Sequence, residues 1–126
     1  MTFPEDVKYT KDHEWLRVEG EKGVVGITDY AQGELGDIVF IDMPKIGRRV
    51  KQGESFGTIE AVKAVSDLFA PVSGEVVAVN SELDKKPETV NKDPYKAGWI
   101  IHIRIQDAGE IKNLLDTKGY RELIGK

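Results

Sequence analysis

Glu14-Trp15-Leu16-Arg17-Val18-Glu19-Gly20-Glu21-Lys22-Gly23-Val24-Val25-Gly26-Ile27 reads as a strand, a turn and a second strand. Residues 14–18 are rich in aromatic and branched side chains, which fit a pleated, half-buried surface. Residues 19–23 place two glycines among charged residues, the chemistry of a turn. Residues 24–27 resume the apolar run. A lone hairpin is marginal in water, so the rest of the chain must supply more strands.

It does so in short pieces punctuated by glycine. Thr28 or Asp29 can cap one short helical turn through Ala31 and Gln32, ended by Gly33 or Gly36. Residues 38–41 form a predicted strand that stops near Pro44, and Gly47 and Gly53 bracket a polar turn around Val50. Residues 55–60 and 68–70 read as strands on either side of Val62-Lys63-Ala64. Residues 75–79 form another strand, entered through Pro71 and Gly74. The polar stretch 81–93 predicts a short helix starting near Pro87. Trp99, Ile101, Ile103 and Ile105 alternate with Ile100, His102 and Arg104, the period of a strand. The period then changes. Ile111, Leu114 and Leu115 form a helical stripe, repeated by Tyr120, Leu123 and Ile124, and Asp107 to Glu110 has capping-box spacing. The pattern predicts a mainly β fold, a sandwich or barrel, with short helices and a helical C-terminus.

The 126 residues suit one domain, 1–126, large enough to fold without a metal or disulfide. With no cysteine there is no thiolate nucleophile or thiolate zinc site, so thiol chemistry would have to come on a prosthetic group. The net charge is −4, and the basic residues form no block longer than Arg48-Arg49, which argues against nucleic acid. No apolar stretch approaches the length of a membrane span, and residues 1–6 lack the basic start and apolar core of a secretory signal.

Enzyme chemistry finds little support. His13 and His102 are the only histidines, too far apart in sequence for a metal-ligand spacing. There is no G-x-S-x-G elbow, which ranks a small hydrolase low. Gly20, Gly23 and Gly26 lie in a hairpin and open no helix, so they are not a dinucleotide fingerprint. In residues 59–71, a two-residue hairpin with Lys63-Ala64 at its tip would pair Val62 with Val65, Ala61 with Ser66 and Glu60 with Asp67. That register sets two like charges opposite each other, an unfavourable pair that a cationic visitor would relieve. Neither Lys63 nor Ala64 favours the positive φ of the usual two-residue turns, so another turn or register stays open. On spacing alone, Lys63 is an ordinary solvated lysine.

Tyr9-Thr10, His13-Glu14-Trp15, residues 26–32, residues 35–40, Pro44, residues 60–67, residues 71–76, Val90-Asn91, Asp93-Pro94-Tyr95 and Gly98-Trp99 together resemble the H-protein family of the glycine cleavage system, in the family's order and over nearly the whole chain. The resemblance implies a flattened two-sheet sandwich of lipoyl-domain type (a barrel-sandwich hybrid) and a lipoate joined by an amide to Lys63 at a hairpin tip. It implies a non-catalytic carrier of glycine catabolism and one-carbon metabolism. Such a carrier takes the aminomethyl group of glycine from a decarboxylating, pyridoxal-phosphate glycine dehydrogenase to a tetrahydrofolate-dependent aminomethyltransferase. It is then reoxidised by dihydrolipoamide dehydrogenase, an FAD enzyme. Lipoylating enzymes are further partners. A monomer in the cytoplasm is expected, or in the mitochondrial matrix for a mature eukaryotic chain. By the same resemblance, Glu14 and Asp67, with Glu60 beside them, are expected to shield the arm's cationic amine. The chain departs from the family at Ala61, where serine is usual, and at Glu34, where some members carry histidine. A biotinyl domain would flank its lysine with methionines, whereas Val62 and Ala64 stand here. A relay that passes lipoyl groups to other enzymes is the alternative within the family, and an unmodified adaptor is the alternative outside it.

Overall fold

The computed structural model describes residues 1–126. Two antiparallel sheets face each other. The larger has the spatial order β1 (Lys8–Tyr9), β2 (Glu14–Glu19), β3 (Lys22–Ile27), β9 (Ile101–Ile105), β8 (Gly74–Val79) and β5 (Arg49–Val50). The smaller has the order β4 (Ile38–Asp42), β6 (Ser55–Ala61) and β7 (Val65–Phe69). Neither sheet closes on itself, so the architecture is a sandwich and not a barrel. The helices are α1 (Asp29–Leu35), α2 (Glu82–Lys85), α3 (Thr89–Lys92) and α4 (Thr117–Ile124), with a 3-10 turn over Ala108–Asn113. No helix is long and apolar enough to cross a membrane.

The opening hairpin forms as its sequence predicts: β2 and β3 pair from Glu14↔Ile27 to Glu19↔Lys22 around Gly20. The larger sheet is covered on both faces, which explains why Trp15 and Leu16, and Val24 and Val25, are consecutive and all buried. Leu16, Val25, Ile27, Val76, Ile101 and Ile103 face the core shared with Phe56, Ile59 and Leu68 of the smaller sheet. Trp15 and Val24 pack on the opposite side with Tyr9, Tyr95 and Tyr120, the last carried by α4.

Several elements differ from the sequence expectation. α1 runs two turns, from the Thr28 cap, whose Oγ1 accepts from the Ala31 N–H at 3.1 Å, to Gly36 at φ 82°. Val50 is buried in a two-residue strand paired with β8, where a polar turn was expected. Two short helices, α2 and α3, flank Pro87 in place of one. The C-terminal stripe does not continue as one helix. Leu114 leaves the 3-10 turn, and Leu115 exchanges two 2.8 Å backbone bonds with Tyr9. The capping box does not close either. Asp107 accepts from the Gly109 N–H, while the Glu110 carboxylate turns to the N–H and hydroxyl of Ser73, at 2.7 and 2.8 Å. Two strong donors from a neighbouring loop outcompete a local cap.

Gly26 lies opposite Trp15, and a Cβ there would meet the indole ring at 2.7 Å. Trp15 is fully buried and donates Nε1–H to the Pro94 carbonyl, so it has little room to yield. Gly26→Ala is expected to cost about 2 kcal/mol by overpacking. Urea unfolding will show this as a lower midpoint at unchanged slope, and an unchanged midpoint would show that the ring can shift freely.

Candidate functional site

The β6–β7 hairpin turns through Val62 and Lys63, not through Lys63 and Ala64. The Ala61 N–H donates to the Ala64 carbonyl at 2.7 Å, and the ladder below pairs Glu60↔Val65, Ile59↔Ser66 and Thr58↔Asp67. The turn therefore sits one residue earlier than the sequence suggests, each cross-strand partner shifts by two residues, and Glu60 faces Val65 instead of Asp67. His13 is the only non-glycine residue with positive φ, so this turn needs none of the left-handed backbone that Val62 and Lys63 would resist. The like-charge pairing is relieved by the register itself.

The tip is anchored from the side. The Val62 N–H donates to the Asp37 carbonyl at 3.1 Å. Lys63 is exposed, and its stem crosses Gly36 so closely that a Cβ on Gly36 would lie 3.3 Å from Cε. Gly36 meets two demands at once, positive φ at the end of α1 and space for the lysine. Asn91 of α3 holds this loop in place. Its Nδ2 donates to the Gly36 carbonyl at 2.8 Å and to Gln32 Oε1 at 3.0 Å, while its Oδ1 accepts from the Ile38 N–H at 3.0 Å.

Beside the tip lies a cleft of about 240 Å³ between α1, the hairpin and the start of β2. Ile27, Ala31, Leu35, Ile59 and Leu68 make its apolar walls, and Asp12, His13, Glu14, Ser66 and Asp67 its polar end. Three consecutive residues of one chain line the same cleft, which strand alternation forbids. The β1–β2 turn makes it possible. The His13 N–H donates to the Thr10 carbonyl at 3.2 Å, and His13 takes φ 75°, the left-handed residue of a three-residue hairpin loop. Its Nδ1 lies 2.9 Å from the Tyr120 hydroxyl, which in turn lies 2.8 Å from Thr28 Oγ1. Tyr120 thus ties α4 to the turn and to the cap of α1. Burial holds the His13 imidazole below its usual range, against the opposing pull of Asp12 and Glu34.

Glu14 is only 1% exposed. Its Oε1 accepts from Thr10 Oγ1 at 2.7 Å and its Oε2 from the Phe69 N–H at 3.3 Å. No cation pairs with it. Burial raises its pKa from 4.5 to about 8, with Asp12 adding to the rise and the two hydrogen bonds opposing it. At neutral pH it is a protonated, neutral carboxyl.

Of the residues expected at the site, Lys63, Glu14 and Asp67 gather around this cleft and its rim. Asp67 is exposed, with Oδ1 accepting from Ser55 Oγ at 3.3 Å. Glu60 does not line the cleft; it projects from the outer face of the smaller sheet beside Val65. Glu34 is among the lining residues, and Ala61 is buried beneath the tip. The sequence reading missed Asn91 and Tyr120 as supports, because both act through contacts distant along the chain. It also missed the apolar walls, although Ala31 and Leu35 stand one helical turn apart and carried a signal for them.

The folded chain keeps the Glu14 proton between pH 4.5 and about 8, and the unfolded chain releases it. Stability therefore falls as pH rises through that window, by up to about 1.4 kcal/mol per pH unit. Glu14→Gln keeps the shape and cannot ionise. Its stability relative to wild type is expected to climb from pH 4.5 to 8 and then level off, as measured by urea unfolding across pH. A flat difference would mean that Glu14 is already ionised when folded.

Comparison with known proteins agrees with this geometry. The family model described as Glycine cleavage H-protein matches residues 7–126, and so takes in the C-terminal turns beyond Trp99. The chain is 56% identical over 124 residues to the glycine cleavage system H protein of Bacteroides fragilis, with 98% of each chain covered. It is 48% identical over 126 residues to that of Staphylococcus carnosus, with both chains fully covered. The crystal structure of a glycine cleavage system H protein from Mycobacterium marinum superposes with a TM-score of 0.90 at 41% identity, covering 98% of this chain and 99% of that one. With a cleft beside an exposed hairpin lysine, and with these matches along nearly its full length, the chain belongs to the glycine cleavage H-protein family.

Proposed function

We propose that the 126 residues act as one lipoyl-carrier domain, with lipoate joined to the Nζ of Lys63 through an amide. The observation that carries this reading is the placement of Lys63: exposed at a pinned hairpin tip, its stem lying on Gly36, at the edge of an apolar cleft that ends on Glu14. A lipoyl group there supplies a disulfide and dithiol that this cysteine-free chain lacks. The chain's own part is to hold, orient and shield. Ile27, Ala31, Leu35, Ile59 and Leu68 exclude water from the middle of the cleft. Glu14, neutral while the cleft is empty of charge, gives up its proton when a cationic amine arrives and becomes a charge-assisted acceptor for it. Asp67 adds negative charge at the rim, and Glu60, on the outer face, takes no part in the shielding.

On this reading the protein is a carrier of the glycine cleavage system and not an enzyme. Its partners are the decarboxylating glycine dehydrogenase that gives up the aminomethyl group, the aminomethyltransferase that removes it, dihydrolipoamide dehydrogenase and the lipoylating enzymes. Intact-mass and peptide analysis of protein from its native source is expected to find one lipoyl group, on Lys63. Lys63→Arg is expected to reduce glycine-dependent turnover by the three reconstituted partners to background while leaving the melting temperature within a few degrees of wild type. A bare Lys63 in cells with active glycine cleavage enzymes would overturn the reading.

A further inference from the structure

Glu14 stands between two cavities. On one side is the cleft beside the hairpin tip. On the other is a second cavity of about 390 Å³, whose walls include Tyr9, Phe69, Pro71 and Leu115 and whose rim carries the exposed Lys11 and Leu123. Only Glu14 and Asp12 line both. The two groups that hold the Glu14 carboxyl, Thr10 and Phe69, line the second cavity and not the cleft. Seen from the cleft, the carboxyl is therefore gripped from behind. The other carboxylates and basic side chains along the two cavities are Asp12, Glu34, Asp67, His13 and Lys11, and none of them is hydrogen-bonded to the Glu14 carboxyl.

The grip is unequal. Thr10 and Glu14 face each other across the β1–β2 turn, where the Thr10 N–H donates to the Glu14 carbonyl at 2.9 Å. A threonine hydroxyl has one proton to donate and two lone pairs with which to accept. Both lone pairs are taken, since Oγ1 accepts from the Asp12 N–H at 3.2 Å and from the Glu14 N–H at 3.1 Å. A backbone N–H can only donate, so the hydroxyl proton has one partner left, Glu14 Oε1 at 2.7 Å. Thr10 is an obligatory donor to the carboxyl. Oε1 is filled by this short bond, whereas Oε2 receives only the long 3.3 Å contact from the Phe69 N–H. When the carboxyl carries a proton, that proton sits on Oε2, because the oxygen that takes the short bond is the carbonyl-like one.

We propose that Thr10 is a positioning residue for Glu14: its hydroxyl, with no lone pair to spare, fixes Oε1 and leaves Oε2 as the single oxygen that exchanges a proton and meets the amine of a loaded arm. This rests on the reading of Glu14 as the polar end of the arm's cleft. An amine that enters unprotonated takes the Oε2 proton and becomes an ammonium, the O–H bond breaking as the N–H bond forms. An amine that is already protonated sends the Oε2 proton to water. In both cases the Thr10 bond persists, and it strengthens as the carboxyl becomes an anion, because it is then charge-assisted. Burial drives the carboxyl toward its neutral form, and the Thr10 bond is the largest influence opposing that drive. Thr10 thereby keeps a deeply buried acid able to ionise.

Two measurements separate this role from simple closure of the turn. In the full-length unmodified chain the Phe69 amide proton reports on Oε2, and its chemical shift is followed against pH. It is expected to move downfield as Glu14 ionises. Thr10→Val removes the donor, and the midpoint is expected to rise by about one pH unit. Thr10→Ser keeps the hydroxyl and is expected to restore the wild-type midpoint. A Thr10 that only closed the turn would give the opposite sign, because an opened turn lets water reach Glu14 and the midpoint falls. A fall in Thr10→Val, or a midpoint that does not move, overturns the proposal. The second measurement follows hydrolysis of the aminomethyl group on the lipoylated chain, loaded by the decarboxylating glycine dehydrogenase. Thr10→Val is expected to speed it about tenfold, the ratio that one pH unit represents, and to speed it no further when added to Glu14→Ala. Equal acceleration in both backgrounds overturns the proposal. Hydrolysis at the wild-type rate in Glu14→Ala overturns the reading of Glu14 itself, and the proposal with it.

Discussion

Glu14 reaches from the first residue of β2 in the larger sheet to the backbone N–H of Phe69 in β7 of the smaller one, and its other oxygen takes the Thr10 hydroxyl. A buried carboxyl without a cation is costly unless it is neutral and hydrogen-bonded, and here it is both. Much of the site's geometry follows from accommodating this group. The β1–β2 turn must curl back through His13 at positive φ to supply Thr10, and α4 must lay Tyr120 against that turn to hold it. The same side chain that joins the sheets forms the floor of the cleft. A link that holds a proton at neutral pH can become an anion when a cation reaches it, so a structural contact doubles as the polar end of a binding site.

The hairpin that carries Lys63 has two faces, set by the pleat of its strands. Inward rows build the cleft wall with Ile59 and Leu68, and outward rows present Phe40 and Val65 to solvent. The tip between them is held by backbone rather than by packing, through the bond from Val62 to Asp37 and the Asn91 clamp on the Gly36 loop. A lysine can then be exposed and mobile along its stem while its Cα stays in one place, which suits a tether.

Much of the β framework was legible in the sequence, because period-2 runs such as Trp99 to Ile105 and the glycine turn at Gly20 are local signals. The ends of α1 were legible to within two candidates each, Thr28 or Asp29 for the cap and Gly33 or Gly36 for the stop, and the fold uses Thr28 and Gly36. What failed was set by contacts across the fold. The hairpin register depended on the Ala61–Ala64 bond and the Asp37 anchor, neither visible in residues 59–71. Val50 is a strand because β8 needs an edge partner, and Glu110 leaves its own helix turn for Ser73. At the site, spacing left Lys63 an ordinary lysine, and only the family resemblance singled it out. The burial of Glu14 could not be read from a charged residue at a strand end, since the groups that bury it come from β7 and from the β1–β2 turn.

The central claim is that Glu14 is a neutral carboxyl that ionises when a cationic amine enters the cleft. A carbon-13 NMR titration of the Glu14 carboxyl tests it most directly, comparing the unmodified chain with the lipoylated chain carrying the aminomethyl group of glycine. The account predicts a midpoint near 8 in the unmodified chain and a clear fall on loading. A midpoint near 4.5 in both forms, or one that loading does not move, would contradict it.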